Sequence, residues 1–283
     1  MTQEKNLLLK SSTGKPIAAD IFYKEEKPQP LVIYAHGFNG FKDWGNFDLI
    51  AQQFAEAGFC FIKFNFSHNG TSPEAPEDFV DLEAFGNNNY TKELADLQTV
   101  IDWALRDENP HHAAIDKNHL YLIGHSRGGG IVLLKAAEEK RVKAVATWAS
   151  VAECKTPWGS WPQERIQRWK ETGVDYYTNS RTKQQMPLYY QLYQDYQANK
   201  ERLDVLKAAA SPTIPLLICH GTKDEAVPVE KAYKLKEAAK DAELFLIESD
   251  HVFGRGHPWP HHNLPQAAQE VVNETSRFFL RPS

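Results

Sequence analysis

The stretch Leu120-Tyr121-Leu122-Ile123-Gly124-His125-Ser126-Arg127-Gly128-Gly129 decides the fold. A short apolar run meets Gly-x-Ser-x-Gly, and helical spacing follows from Ile131. Where a strand turns directly into a helix, the corner residue sits in strained backbone. Small residues two before and two after it are then needed to avoid collisions, and Gly124 and Gly128 supply them. The corner side chain stands clear at a helix N-terminus, whose dipole favours developing negative charge. Ser126 is therefore the candidate nucleophile. The competing reading, a glycine-rich turn with an incidental serine, does not account for the strand before it and the helix after it.

Outward from this corner, short apolar runs recur at Leu31–Ala35, Phe59–Phe64, Val142–Trp148, Leu216–Cys219 and Leu244–Ile247. Each is apolar on both faces, as expected of a strand covered by helices on both sides. Helical spacing fills the intervals at Asp48–Ala57, Thr91–Leu105, Ile131–Lys140, Val229–Ala239 and Gln266–Leu280. Leu94, Leu97, Ile101 and Leu105 form one such stripe. Alternation of this kind predicts an α/β fold with a doubly wound, mostly parallel sheet. Asn6–Lys10 and Ile17–Tyr23, flanking Thr13-Gly14-Lys15, read as an edge hairpin.

The alternation stops between about 151 and 210, a span too long for a connecting loop and too polar for a second core. Helical pieces near Gln163–Glu171 and Tyr189–Leu206 are joined by Val174–Leu188, which reads as a small hairpin. The expectation is one catalytic domain over residues 1–283, interrupted by a helical lid insertion. Tyr and Trp total 18, and nine of them fall between 151 and 200. Tyr189, Tyr193 and Tyr196 share helical spacing. These aromatics either glue the lid to the sheet or line a substrate pocket, for which Trp161, Tyr176, Tyr189, Tyr193 and Val227 are the candidates.

A serine hydroxyl is a weak nucleophile and needs a base, which in turn needs an orienting acid. Asp224 lies just past the run Leu216–Cys219, and His251 lies just past Leu244–Ile247. The chain order Ser126, Asp224, His251 is the order a nucleophile elbow requires. Asp224 also reads as a turn residue, and Glu225 and Asp250 are the other candidate acids. For the oxyanion, the Arg127 backbone N–H follows the nucleophile, and the Phe38 N–H is offered by the His36-Gly37-Phe38 loop. His36 reads as a brace of that loop. His257, His261 and His262 cluster nearby, but prolines deny that stretch a helix and no carboxylate stands at ligand spacing, so neither metal nor cofactor is expected.

Composition narrows the partners. Lys+Arg is 32 against Asp+Glu 37, a net charge of -5, the wrong sign for neutralising nucleic-acid phosphates. No apolar run approaches the roughly 20 residues of a membrane helix, and the first residues lack a signal peptide's pattern. Cys60, Cys154 and Cys219 are sparse and odd in number, which reads as reduced thiols in the cytoplasm. The expected partner is a small-molecule ester, with the chain a monomer or homodimer.

Together these residues resemble the α/β-hydrolase superfamily over nearly the whole chain. The short His36-Gly37-Phe38 loop and Asp224-x-x-Val227-Pro228 are similar to the branch of dienelactone-hydrolase-like and cinnamoyl (feruloyl) esterase-like proteins. The resemblance implies Ser126 as nucleophile, His251 as base, Asp224 as orienter, and Phe38 and Arg127 as oxyanion donors. It implies hydrolysis of carboxylic esters with aromatic or short-to-medium acyl groups through an acyl-enzyme. A thioesterase, peptidase or acyltransferase would use the same residues, and a non-catalytic binder would keep only the fold. Two departures stand out. Cinnamoyl esterases commonly carry Gln where this chain has Arg127, and dienelactone hydrolases use cysteine where it has Ser126.

Overall fold

The apolar runs lie side by side in one eight-stranded sheet. The computed structural model describes residues 1–25, 27–210 and 214–281. The chain begins with β1 (Thr2–Leu9) and β2 (Ile17–Tyr23), then passes through β3 (Gln29–Ala35), α1 (Phe47–Glu56) and β4 (Cys60–Phe64). A short α2 (Leu82–Gly86) and the long α3 (Tyr90–Leu105) lead to β5 (Ile115–His125), α4 (Arg127–Glu138) and β6 (Val142–Trp148). After β6 come α5 (Gln163–Thr172), β7 (Val174–Thr178), β8 (Gln185–Tyr189), α6 (Gln191–Ala198) and α7 (Val205–Ala209). The chain then completes the sheet with β9 (Leu216–Gly221), α8 (Glu230–Ala238), β10 (Glu243–Ile247) and α9 (Gln266–Phe279).

Strand order is β1-β2-β4-β3-β5-β6-β9-β10, antiparallel at β1–β2 and β2–β4 and parallel from β4 onward. Because the pleat alternates, β3 sends Leu31, Ile33 and Ala35 to one face and Val32 and Tyr34 to the other. The first face is covered by α3, α4 and α8 through Leu97, Ile101, Ile131 and Leu235. The second is covered by α1 and α9 through Ile50, Phe54, Val271 and Phe279. From β3 the chain steps to β4 on one side, then returns to β5 on the other. The segments leaving β3 and β5 diverge there, which opens a crevice at their C-terminal ends.

Several boundaries differ from expectation. The helix behind Ser126 begins at Arg127 rather than Ile131, because Gly128, Gly129 and Gly130 pack tightly against Ala35, Ser150 and Val151 and carry no apolar periodicity. The helix expected over Tyr189–Leu206 is divided: Tyr189 ends β8, and α6 and α7 are separate. Tyr189 therefore shares no helix with Tyr193 and Tyr196. At the far end of the interruption, Val205 joins the same core cluster as Ile131, so α7 packs directly on α4.

The hairpin β7–β8 forms a second sheet of its own. An aromatic cluster holds this region together. Trp169 is fully buried, donates its indole N–H to the Leu188 carbonyl at 2.6 Å, and meets Trp158, Trp161, Tyr190 and Tyr193. Trp158 in turn packs on Tyr90 of α3, at 6.0 Å between ring centroids. Among the described residues no helix is long and apolar enough to cross a membrane.

Candidate active site

Ser126 occupies the corner between β5 and α4 at φ 56 and ψ -121, a conformation that costs free energy at a non-glycine residue. The geometry depends on its neighbours. A Cβ on Gly124 would collide with the Gly128 carbonyl, and one on Gly128 would strike Ala35 at the end of β3. The corner thus brings β5, α4 and the loop after β3 together. Gly37 completes the approach, since a Cβ there would stand 2.9 Å from the Ser126 Cβ.

Asp224 is buried and uses both oxygens. Its Oδ1 accepts the backbone N–H groups of Ala226 at 2.9 Å and Val227 at 2.8 Å, which closes a turn. Its Oδ2 lies 2.7 Å from His251 Nδ1 and 3.3 Å from His220 Nε2. One carboxylate thus makes both the turn contacts and the contact to His251 that the sequence offers as alternatives. Burial works against its charge. The hydrogen bonds from His220, His251 and the Val227 amide outweigh that and hold the carboxyl well below the usual range. Glu225 is exposed, and Asp250 is exposed and caps its own loop by accepting from Val252 and Gly254.

Two other histidines support the arrangement, and neither has an assigned role in the sequence reading. His125, between Gly124 and Ser126, is buried and donates from Nε2 to the His251 carbonyl at 2.9 Å. Burial, with His251 beside it, pushes its pKa well below the ordinary value, so it is neutral. His220, fully buried at the end of β9, donates from Nε2 to the Val227 carbonyl at 2.8 Å. Position beside the elbow and at a strand end is the only signal the sequence offers for either.

The Phe38 amide makes no hydrogen bond to another backbone group among the described residues. Arg127 is the first residue of α4, where an N–H has no intrahelical acceptor. His36 braces the loop between them. Its Nδ1–H donates to the Gly37 carbonyl at 2.8 Å, and its Nε2 accepts the Phe66 N–H at 3.2 Å. Burial lowers the His36 pKa to about 4, which keeps it neutral in that role.

Ser126, His251, Phe38 and Val227 line one cavity of about 530 Å³. Its walls continue through Val151–Pro157, Gly159 and Ser160 after β6, Tyr177 of β7, and Ala226, Pro228 and Lys231 near α8, though the lining omits Cys154. Trp161, Tyr176, Tyr189 and Tyr193 do not line it. Trp161 lies under the Arg165 guanidinium at 3.7 Å and against Trp169, and Tyr193 sits in the aromatic cluster with Trp158. Tyr189 lies over Gly86 with its hydroxyl on Glu83. Tyr176 is exposed, while its neighbour Tyr177 faces the cavity and packs edge-on against Phe38. Adjacent strand residues point to opposite faces, so an error of one position exchanges inside for outside.

Among the described residues, carboxylates close enough to share an ion occur at Asp20, Asp43 and Asp48. Lys42 and Lys63 already fill that space: both ammonium groups reach Asp20 at 2.8 Å and both pair with Asp43. His257 accepts the Gly45 N–H and stacks near Trp44, a structural placement.

Residues 30–174 match the family of the alpha/beta hydrolase fold, and the chain belongs to it. A protein of Escherichia coli, the uncharacterized 31.7 kDa protein in the traX-finO intergenic region, is 32% identical over 124 residues. That match covers 44% of this chain and 38% of the relative. Two solved structures share the fold over almost the full length. The putative hydrolase from Agrobacterium vitis S4 gives a TM-score of 0.73 at 20% identity, covering 99% of this chain and 100% of the other. Est1E from Butyrivibrio proteoclasticus, solved with ferulic acid bound, gives 0.67 at 21% identity, covering 97% and 98%.

Proposed function

We propose that this chain is a serine carboxylic-ester hydrolase that works through an acyl-enzyme. The observation that carries the reading is the strained Ser126 sharing a cavity with His251, whose far nitrogen is held 2.7 Å from the buried Asp224. His251 Nε2 takes the Ser126 proton as Oγ attacks the ester carbonyl, and the Phe38 and Arg127 amides hold the resulting oxyanion. His251 then returns the proton to the departing alkoxide oxygen, releasing the alcohol. Water repeats the sequence and frees the acid. Asp224, ionised throughout, fixes the tautomer and stabilises the imidazolium.

The region between β6 and β9 acts as the lid. Thr156, Pro157, Ser160 and Tyr177 bring its backbone and one aromatic ring to the cavity, which supports a role in excluding water and selecting the ester. The three buried, unbridged cysteines support a reducing compartment such as the cytoplasm.

The test is fluorophosphonate labelling combined with hydrolysis of nitrophenyl and hydroxycinnamate methyl esters, acyl-CoA thioesters and a proline peptide. Labelling at Ser126 and turnover of oxygen esters, both abolished in Ser126→Ala, are expected. An unlabelled Ser126 would mark a binding protein. Turnover confined to thioesters or peptides would replace the ester reading.

A further inference from the structure

Two cavities meet at Ser126, and their walls differ in charge. Both are lined by Phe38, Ser126 and His251. The smaller, about 210 Å³, runs among Tyr34, Phe41, Trp44 and Phe47 and has no Lys, Arg, Asp or Glu in its lining. Its histidines besides His251, His36 and His125, are neutral at physiological pH for the reasons given above. The larger, about 530 Å³, carries Glu153, Lys155 and Lys231. Glu153 lies 2.8 Å from the Lys155 ammonium and 3.5 Å from that of Lys231. One carboxylate thus faces two ammonium groups, which leaves one positive charge in the wall. The chain as a whole carries -5, so this wall has the opposite sign to the molecule.

We propose that the substrate is a mono-anionic ester. A compact uncharged arm enters the aromatic recess, and a longer arm ending in a carboxylate enters the larger cavity beside Lys231 and Lys155. The surplus of one charge matches one carboxylate. Lys231 is the main receiver, since its 3.5 Å contact to Glu153 is the looser of the two. The recess penalises a carboxylate, which would lose its hydration among the rings while the Arg255 guanidinium, 4.6 Å from the Phe47 ring with both Nη atoms unpartnered among the described residues, stays outside the lining. The same charge difference therefore fixes which way round the ester lies. Two partly exposed lysines facing one carboxylate discriminate by about tenfold, or about 1.4 kcal/mol.

This assignment rests on the ester-hydrolase reading, and the experiment separates the two. Monoethyl adipate and diethyl adipate are compared by proton release and by their protection of Ser126 from a fluorophosphonate. The comparison is repeated in Lys155→Gln, Lys231→Gln, the double variant and Glu153→Gln. The monoester should be preferred about tenfold in kcat/KM and in protection, chiefly through KM. The double variant should lose the preference, read as the ratio of the two esters within that variant, and Glu153→Gln should increase it. Added salt should weaken it. Equal treatment of both esters, or a preference that survives in the double variant, overturns the proposal while a labelled Ser126 leaves the hydrolase reading standing. An unlabelled Ser126 overturns both.

Discussion

Arg127 and Glu93 form an ion pair at 2.9 Å, with side chains 2% and 5% exposed. The guanidinium also stacks 3.9 Å from the Tyr90 ring and donates to the Thr156 carbonyl at 3.2 Å. Tyr90 in turn hydrogen-bonds the Thr156 amide at 2.9 Å. One side chain beside the candidate nucleophile thereby ties α3 to the cavity wall formed by Thr156.

Removing either partner of that pair leaves a buried charge without compensation. Glu93→Leu or Arg127→Met should each lower stability by about 3–5 kcal/mol, read as a shift of the urea midpoint. The double variant should lose less than the sum of the two, because no stranded charge remains. Additive losses would mean that the pair contributes nothing beyond its separate packing.

Asp224→Asn should preserve the turn, since the amide oxygen still accepts from Ala226 and Val227. It should nevertheless reduce kcat by about 10⁴-fold, because the neutral amide neither fixes the His251 tautomer nor stabilises its charged form. Circular dichroism matching the wild type, with kcat down and KM little changed, is the expected pattern.

His220 places a second N–H near the same carboxylate oxygen. His220→Leu removes that donor from a buried carboxylate and from the Val227 carbonyl, and should lower kcat by about 10–100-fold. His220→Gln restores a donor and should recover part of the rate. Equal losses in both variants would assign His220 to packing alone.

Gly37→Ala brings a methyl group 2.9 Å from the Ser126 Cβ. The loop must retreat from the nucleophile, taking the Phe38 amide with it. A loss of about 10²-fold in kcat is expected from displacing one oxyanion donor, with thermal stability altered far less. Unchanged kcat would exclude the Phe38 amide from the oxyanion site.

Acid should destabilise the fold as pH falls below about 6.5. His36, with its pKa lowered to about 4, and His125, held well below its ordinary value by burial, bind protons more weakly when folded than when unfolded. Their stabilising effect is complete above the unfolded pKa of about 6.5 and falls as pH drops, by about 2 kcal/mol at pH 5 for His36. Asp96 works oppositely. Burial raises its carboxyl to about 6 despite hydrogen bonds from Ser11 and Ser67, so the folded state gains protons as pH falls through that value. Asp96→Asn should therefore make the decline in Tm between pH 7 and pH 5 steeper, by about 1 kcal/mol in stability. A flatter profile would contradict the assignment.

The local signals in the sequence were strong where one short segment carried all the information. Gly124, Ser126 and Gly128 describe a corner through covalent spacing alone, and the residues following β3, β9 and β10 could be named because each apolar run marks a strand end. The His36 brace was readable for the same reason. By contrast, the aromatic crowding showed only that the insertion holds rings, since composition carries no phase.

Amino-acid order by itself determined the alternation of strands and helices, the corner at Ser126, and the order in which Ser126, Asp224 and His251 follow their strands. These depend on periodicity and backbone sterics within a few residues. Tertiary structure alone decided that Tyr177 faces the cavity while Tyr176 faces solvent, and that Arg127 meets Glu93 across 34 positions of chain. It also set His125 against the carbonyl of His251 and left one wall of the larger cavity with two lysines to a single carboxylate. Such contacts follow from how separate elements pack, and the burial that gives them their energy does not exist until the sheet and its helices have closed.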